Sequence, residues 1–411
     1  MNRKLTLLYI GVDLHKNHHT AIMMNCLHEK LDELKFDNKP SAFPVFLKEV
    51  NKISKREGLT PVFGLEDVGG YGRGLAMFLI ENKYEVKAVN PALTVSMRRS
   101  SPNNKKTDAW DAECVARILI SNLDTLPNAN PLDLYYAISQ LVTRRANIVS
   151  VLTGLKLQLH QQLGYHYPSY KKFFSKVDGK TALAFWRKYP SPSCLKGVGV
   201  EKLADFLRKK SNYSLSTKKA QEILSLVEQD GDTSKDYQEA NDFLVKDVVR
   251  DIIIREHQLD QIDTELKKHM ALLDYKLESM HGISTVTAAE LIAEIGDISR
   301  FPNADKLANF AGIAPVQHSS GNKQKARKSK LGNRSLYDIF YNLAIRMLGV
   351  SRGEKKPNHP LYHAYYEKKL AEGKTKWQAI ICVMRKLVNV IYSMMKYKTE
   401  YKMPVLPERA A

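Results

Sequence analysis

The sequence predicts an α/β domain at the start of the chain followed by mainly helical domains, and three observations lead to this fold class. Short β-rich runs alternate with helical stretches over residues 1–125, as they do in α/β domains. Beyond that point, long segments place apolar residues three or four positions apart, which is the helical period. The composition, with 44% hydrophobic and 26% charged residues in a chain of 411, is that of a folded protein with two or three domains.

The first segment reads as three strands, then as strand and helix in alternation. Ser41 is placed to cap the first helix, the stretch from Glu57 to Pro61 to end it, and Pro91 to begin a later one. The predicted strands are Leu7–Asp13, Ala21–Asn25, Leu31–Asp37, Val62–Glu66 and Val86–Asn90.

Two long helical segments, Pro131–Leu163 and Tyr237–Leu273, dominate the middle of the chain. Paired long helices of this kind are typical of a coiled-coil arm or a dimer strut. Between them, residues 164–236 carry scattered helix signals and no chemical motif, so we treat them as an inserted helical module of unknown role.

After Met280 the sequence reads as helical to about Tyr397, with a polar interruption from Gln317 to Asn333. We therefore divide the chain into an α/β domain over residues 1–125, a helical connector with its insert over residues 126–275, and a helical C-terminal domain over residues 276–400.

The net charge and the spacing of the cysteines limit the range of possible functions. Lys and Arg number 63 against 44 Asp and Glu, so the formal charge is +19, which favours a polyanionic partner, nucleic acid before an acidic membrane surface. The four cysteines lie far apart, without the spacing of a zinc site or a disulfide framework. No apolar run approaches the roughly 20 residues of a membrane span, and no signal peptide is evident. We expect a cytoplasmic protein without membrane segments.

Four acidic residues form the first candidate site. Asp13 closes the strand YIGVD, and Glu66 closes the strand VFGLE. In KTDAWDAECVARIL, Thr107 or Asp108 can start a helix, and Asp108 and Asp111 are three residues apart, hence on one face of it. Carboxylates from two strand ends and one helix suit Mg²⁺ or Mn²⁺, which could stabilise the oxygens of phosphodiester cleavage.

Basic residues flank these acids, as expected of a site that acts on a phosphate backbone. Taken singly, each acid has a structural explanation, as a loop acid, a turn residue or a partner of a helix dipole. Together with the bases, the four acids favour a metal site of the nuclease type. The flanking bases are Arg98, Arg99, Lys105 and Lys106.

The second candidate site is the segment FAGIAPVQHSSGNKQKARKSKLGNRSLYDIF. Ser319 and Ser320 precede Gly321, so a hydroxyl nucleophile sits on flexible backbone beside cations that can stabilise a reacting phosphate. The alternative is a surface turn with a basic, nucleic-acid-binding run. The basic residues are Lys323, Lys325, Arg327, Lys328, Lys330 and Arg334.

Upstream of the serines, HGISTVTAAELIAEIGDISRF is similar to a helix-hairpin-helix element. In such an element a glycine turn and a helix N-terminus present backbone N–H groups to phosphate. An ordinary amphipathic helix pair is the alternative.

In chain order, the segments GVDLHK, GLEDVGGYG, VNPALTVSMRRSSPNNKKTDAWDA and FAGIAPVQHSSGNKQKARKSKLGNRSL resemble the motifs of DEDD-type insertion-sequence transposases, the insertion-sequence one-ten family. The resemblance covers both ends of the chain, and RKLVNVIYSMM near Arg385 is similar to the family's closing helix.

The resemblance implies a RuvC-like, RNase H-fold N-terminal domain whose Asp13, Glu66, Asp108 and Asp111 bind Mg²⁺. It further implies a coiled-coil connector and a C-terminal transposase domain with a serine nucleophile, which we assign to Ser320 because it abuts Gly321, with Ser319 as its competitor. The resemblance also implies cleavage through a phosphoserine linkage, with target and donor DNA selected by a noncoding bridge RNA. We expect a homo-oligomer, a dimer or a tetramer.

Two other functions fit the same residues. One is a RuvC-like, Mg²⁺-dependent DNA nuclease that uses water as the nucleophile, with Ser320 as a phosphate contact. The other is a noncatalytic nucleic-acid scaffold that uses the basic surface alone.

Overall fold

The structure is a computed structural model that describes residues 3–66, 70–100, 107–129, 131, 133–314, 316–320, 323–327, 332–351, 353 and 356–403. Residues 133, 316–320 and 323–327 are described by their backbone. The chain forms two compact units, one of Met1–Ser139 with His269–Ala411 and one of Gln140–Lys268.

The first unit begins with a five-stranded mixed sheet in the order β3-β2-β1-β4-β5. The central strand β1 runs antiparallel to β2 and parallel to β4, β3 pairs antiparallel with β2, and β5 pairs parallel with β4. All five predicted strands are confirmed, with small shifts at their ends. They are β1 (Leu7–Leu14), β2 (His18–Met24), β3 (Lys30–Asp37), β4 (Thr60–Leu65) and β5 (Glu85–Ala88).

Helices cover both faces of this sheet. Side chains of β1 alternate between the faces, so that Leu8 and Ile10 join the core under α1 and α2, while Leu7 and Tyr9 join the core under α4. The helices are α1 (Phe43–Glu57), α2 (Arg73–Glu81), α3 (Pro91–Ser100) and α4 (Asp108–Asn122).

The start of α1 differs from the prediction. Ala42, and not Ser41, is the residue that caps the helix, and no side chain accepts a hydrogen bond there. Pro44 stands in the first turn and has no N–H, so fewer backbone donors need a cap. The predicted end is confirmed, because the chain leaves α1 at Gly58 in the left-handed conformation, with φ 66°.

The second unit is helical and has its own core. The two predicted long helices are α5 (Asp133–His166) and α9 (Gln238–Ala271), and the inserted module between them holds α6 (Lys180–Lys188), α7 (Val200–Lys210) and α8 (Thr217–Asp230). One hydrophobic cluster, with Trp186, Phe173 and Tyr167 at its centre, runs from Ile148 on α5 through the module to Ile252 on α9. Side-chain bonds also join the long helices, among them Arg145 Nε to Asp263 Oδ1 at 2.6 Å.

The C-terminal part of the first unit is mainly helical, as predicted, but it holds a β-hairpin inside the polar interruption. There β6 (Val316–Ser320) pairs antiparallel with β7 (Lys323–Arg327). The helices are α10 (Thr285–Ile295), α11 (Ala304–Phe310), α12 (Arg334–Leu348), α13 (Pro360–Ala371) and α14 (Lys376–Tyr397).

Helix α14 is the core helix of this region. Among the described residues it is the one helix long and apolar enough to cross a membrane, judged by length and composition, and half of that stretch is buried. Its buried face, which includes Val383, Leu387 and Ile391, packs against α11, α12 and α13. A membrane segment is therefore not indicated for the described part of the chain.

Candidate active site

Two neighbouring parallel strands bring the first two acids to one edge of the sheet. Val12 on β1 lies opposite Leu65 on β4, so Asp13 and Glu66 occupy the next positions of adjacent strands. The alternation of side chains then directs both acids to the α4 face, because Tyr9 on β1 and Val62 on β4 belong to the core under α4.

Helix α4 supplies the other two acids in its first turn. Thr107 caps the helix, its hydroxyl accepting a hydrogen bond from the Trp110 N–H at 3.2 Å. Asp108 and Asp111 follow in that turn, where the helix dipole stabilises negative charge. Asp111 is buried, with 8% of its surface exposed. The predicted shared helix face is confirmed.

Gly11 on β1 explains how α4 comes so close to the strand that carries Asp13. A Cβ atom at Gly11 would lie 2.2 Å from the carbonyl oxygen of Ala112 and 2.2 Å from the amide nitrogen of Ala116. The backbone of α4 therefore rests directly on β1, which holds the first turn of the helix near Asp13.

Two histidines that no sequence motif indicated as site residues lie among these acids. His15 Nε2 lies 2.9 Å from Asp13 Oδ2 and 3.4 Å from Asp108 Oδ1, and His18 Nε2 lies 3.3 Å from Asp108 Oδ2. Both histidines flank the short turn between β1 and β2, in which the His15 N–H donates to the His18 carbonyl oxygen. The GVDLHK segment contains His15, but the sequence does not reveal the turn that brings His15 and His18 to the acids.

The partly buried, closely spaced carboxylates make the site favourable for binding a cation. Burial, and then repulsion by Asp111 and Asp108, raises the pKa of Asp13, although His15 opposes the shift. Burial also raises the pKa of Glu66, with a smaller opposing effect from the nearby Thr94 side chain. The hydrogen bond from His18 lowers the pKa of Asp108.

A divalent cation fits these residues. Asp13 Oδ2 is buried and has His15 Nε2 as a neighbour at 2.9 Å, and a carboxylate oxygen still offers lone pairs to a cation beside that contact. Ligand atoms of Asp13, His15 and Asp108 lie within 4.8 Å of one another. Oxygen donors of this kind suit hard cations such as Mg²⁺ and Mn²⁺.

Of the two flanking bases that the structure describes, Arg98 contacts an acid. Arg98 on α3 directs Nε to Asp111 Oδ1 at 3.3 Å, and Arg99 on the same helix is exposed. Lys105 and Lys106 lie outside the described residues. Arg98 therefore balances part of the negative charge in the structure, and its predicted contact with nucleic acid stays a prediction.

The serine segment lies in the hairpin β6–β7. Ser320 ends β6 opposite Lys323, Ser319 pairs with Gln324, and the pairing continues to Arg327. The side chains of both serines lie outside what the structure describes, so the choice of Ser320 stays a prediction. Of the other predicted bases, Lys325 lies on β7, Lys328 and Lys330 fall outside the described residues, and Arg334 begins α12 with its guanidinium 4.9 Å from the Tyr337 ring centre.

The end of the serine segment is fixed by Gly332 and Asn333. A Cβ atom at Gly332 would lie 2.6 Å from the Cα atom of Gly312, and the Asn333 N–H donates to the Phe310 carbonyl oxygen at 2.7 Å. The Asn333 side chain accepts from the Leu336 N–H and donates to Glu294 Oε2 on α10. The chain therefore leaves and rejoins the helical body at one point.

Comparisons with known proteins match this arrangement to transposases at both ends of the chain. A family model for a DEDD-type transposase of the IS110 group matches residues 10–168, and a model described as "Transposase IS116/IS110/IS902 family" matches residues 274–366. The first match contains all four acids, and the second contains both serines.

Individual relatives agree with the family models. The "Insertion element IS116 uncharacterized 44.8 kDa protein" of Streptomyces clavuligerus is 26% identical over 398 residues, 95% of this chain and 95% of that protein. The "Pilin gene-inverting protein" of Moraxella lacunata is 32% identical over 142 residues, 34% of this chain and 42% of that protein. The "Transposase for insertion sequence element IS1111A" of Coxiella burnetii is 28% identical over 130 residues, 31% of this chain and 34% of that protein.

Proposed function

The chain belongs to the IS110 family of DEDD insertion-sequence transposases, and from this premise we propose that its acids and Ser320 together cleave and rejoin DNA. Its enzyme class is DNA transposase or recombinase, with DNA as the substrate. The observation that carries the proposal is the convergence of Asp13, Glu66, Asp108 and Asp111 from two strands and one helix.

In the proposed chemistry the Ser320 hydroxyl loses its proton and its oxygen attacks a DNA phosphorus. The new serine–phosphate bond replaces one phosphorus–oxygen bond of DNA, and the released DNA oxygen takes up a proton. A hydroxyl of another DNA end then attacks the phosphoserine, which restores the serine and rejoins DNA. The number of phosphate ester bonds is unchanged, so the reaction needs no ATP.

The four carboxylates are the proposed ligands of Mg²⁺ or Mn²⁺. A bound ion would supply positive charge to the transferring phosphate and to the leaving oxygen. Around it, Asp108 is oriented by its hydrogen bond to His18, and Asp111 is held by Arg98. The ligand atoms of Asp13, His15 and Asp108, which lie within 4.8 Å of one another, support an ion at this position.

We also propose a RuvC-like RNase H fold for the N-terminal domain and a helix-hairpin-helix role for the region of Gly282. The mixed sheet, with β1 between an antiparallel and a parallel neighbour, supports the first assignment. For the second, Gly282 adopts φ 86° just before Ser284, whose hydroxyl caps α10. The N-terminus of α10 is then the proposed contact with a DNA phosphate.

The remaining proposed partners are a noncoding guide RNA and further copies of the chain. The charge of +19 supports binding of both DNA and RNA, and the cytoplasm is the proposed location. Exposed apolar side chains on the long helices support a coiled-coil dimer or tetramer contact. On α5 these include Val151 and Leu157, 49% and 66% exposed, and on α9 Phe243 and Ile254, 63% and 45% exposed.

The test is a covalent adduct assay. The protein is purified from cells that carry its flanking DNA, together with any RNA that survives a high-salt wash, and is then incubated with labelled element-end DNA and Mg²⁺. We expect a protein–DNA adduct that survives SDS, is lost in Ser320→Ala and persists in Ser319→Ala. Asp13→Asn should bind DNA while recombination falls by at least about a hundredfold.

The controls separate the competing functions. Cleavage without an adduct would contradict the serine mechanism and favour the nuclease that uses water. Full recombination by Asp13→Asn would contradict the metal site. Random cellular RNA, or none, in the purified material would contradict guidance by a discrete RNA without affecting the adduct result.

A further inference from the structure

The turn between β1 and β2 places an imidazole nitrogen inside the proposed metal site. The distances are 2.9 Å from His15 Nε2 to Asp13 Oδ2 and 3.4 Å to Asp108 Oδ1. Ligand atoms about 2.1 Å from an octahedral ion, at right angles to one another, are about 3 Å apart. The two distances from His15 Nε2 are therefore close to those between neighbouring ligands of one ion, and the ligand atoms of all three residues lie within 4.8 Å of one another.

His15 Nε2 and Asp13 Oδ2 lie 2.9 Å apart, and both atoms are buried. At this distance a protonated imidazole pairs with the carboxylate. A metal cation can take the place of that proton, because Nε2 of a neutral imidazole and a carboxylate oxygen each offer a lone pair.

His18 contacts the other carboxylate oxygen of Asp108 and does not contact Asp13 in the described structure. His18 Nε2 contacts Oδ2 of Asp108, while His15 faces Oδ1 of the same carboxylate. A ligating carboxylate is commonly held through its second oxygen in this way. His18 is therefore a positioning residue for Asp108 and provides a matched control for His15.

We propose that His15 is a direct nitrogen ligand of the divalent ion at Asp13 and Asp108, and that it makes the site selective for transition ions over Mg²⁺. Mg²⁺ takes oxygen ligands, whereas imidazole favours first-row transition metals. The inference rests on the proposed function, since it adds a ligand to the site that performs the chemistry. The Asp108 side chain is 43% exposed, so the site borders solvent.

The test uses Mn²⁺ alone with the full-length protein, without DNA. In frozen samples, electron spin-echo envelope modulation reports a nitrogen nucleus bound directly to Mn²⁺. We expect nitrogen modulation in the native protein and in His18→Gln, and its loss in His15→Gln. In titrations, His15→Gln should weaken Mn²⁺ binding by about tenfold and should change Mg²⁺ binding much less.

Each other outcome has a distinct meaning. Bound Mn²⁺ without nitrogen modulation in the native protein, or with modulation that persists in His15→Gln, would overturn the ligand assignment and leave the carboxylate site intact. Failure of the native protein to bind Mn²⁺ would instead overturn the proposed metal-dependent function. Nitrogen modulation in Mn²⁺-bound native protein is measured without any variant. The ligand assignment can therefore be contradicted even if a variant folds poorly.

Discussion

A single hydrogen atom at position 11 sets the distance between the strand of Asp13 and the helix of Asp108. Gly11 does not have a positive φ. Glycine is therefore required here because a side chain would not fit, and not because of its backbone conformation. Any side chain would meet the Ala112 carbonyl oxygen and the Ala116 nitrogen, which belong to a helix backbone and cannot rotate away. The helix would have to move, and the acids in its first turn would move with it.

We expect Gly11→Ala to destabilise the first unit by about 3 kcal/mol, because a methyl group is forced into packed backbone. Urea unfolding gives the free energy, and Mn²⁺ titration shows whether the acids still converge. Gly74→Ala is the matched control, since its Cβ would meet only the Phe43 ring at an ordinary 3.6 Å. Equal stability of Gly11→Ala and the native protein would contradict the close contact.

The acids could be predicted from sequence because each follows a local pattern. Asp13 and Glu66 end apolar strands, and Asp108 and Asp111 share a helix turn. His15 could not be predicted, because its relation to Asp108 depends on a long-range contact between the β1–β2 turn and α4. The pairing of Arg98 with Asp111 was hidden for the same reason.

At the scale of the elements, the start of α12 joins three helices at the point where the chain returns from the serine hairpin. Asn333 caps α12 through the Leu336 N–H, while its amide donates to Glu294 on α10 at 2.7 Å. The same residue's N–H donates to Phe310 at the end of α11. Three helices therefore meet at one side chain and its backbone.

Asn333→Ala should lower the free energy of unfolding by about 2 kcal/mol, because it removes a helix cap and the hydrogen-bond donor to Glu294. Asn303→Ala, which removes the cap of α11 alone, should cost about 1 kcal/mol. A double-mutant cycle of Asn333→Ala with Glu294→Ala should show coupling, and adduct yield should fall more in Asn333→Ala than in Asn303→Ala. Independent effects of the two substitutions would contradict the link.

The hairpin was not predicted as β structure, and its sequence shows why. The segment KQKAR of β7 has neither the β-branched residues nor the apolar alternation that indicate a strand. The chain also closes at Gly312 and Gly332 on either side of the hairpin, a contact that no local pattern reveals. The long helices α5 and α9 were predictable, because their apolar period persists over many turns.

At the scale of the whole molecule, the two units have separate hydrophobic cores. The cluster around Trp186 consists of residues from 148 to 252, all within the second unit. The clusters that support the acidic site contain residues from the first unit, such as Leu8, Tyr9 and Ile22. Separate cores predict separate unfolding.

We expect Trp186→Ala to lower the unfolding midpoint of the second unit, at a cost of about 4 kcal/mol for a buried aromatic side chain. Mn²⁺ affinity of the first unit should stay within about twofold of the native value. Calorimetry resolves the two transitions, and a protein whose sole tryptophan is Trp186, made by Trp110→Phe and Trp377→Phe, assigns them. A single transition shifted as a whole would show that the units unfold together.

The contact between Gly312 and Gly332 makes the segment between them an exchangeable unit whose two ends are held close together. Its two ends leave the helical body at nearly the same point, so a change in its length or sequence need not displace α11 or α12. Loop length can vary at a modest entropic cost when the ends stay fixed. An insertion element can therefore acquire a new serine segment by local exchange, and a protein engineer can transplant one between relatives without redesigning the domain that carries it.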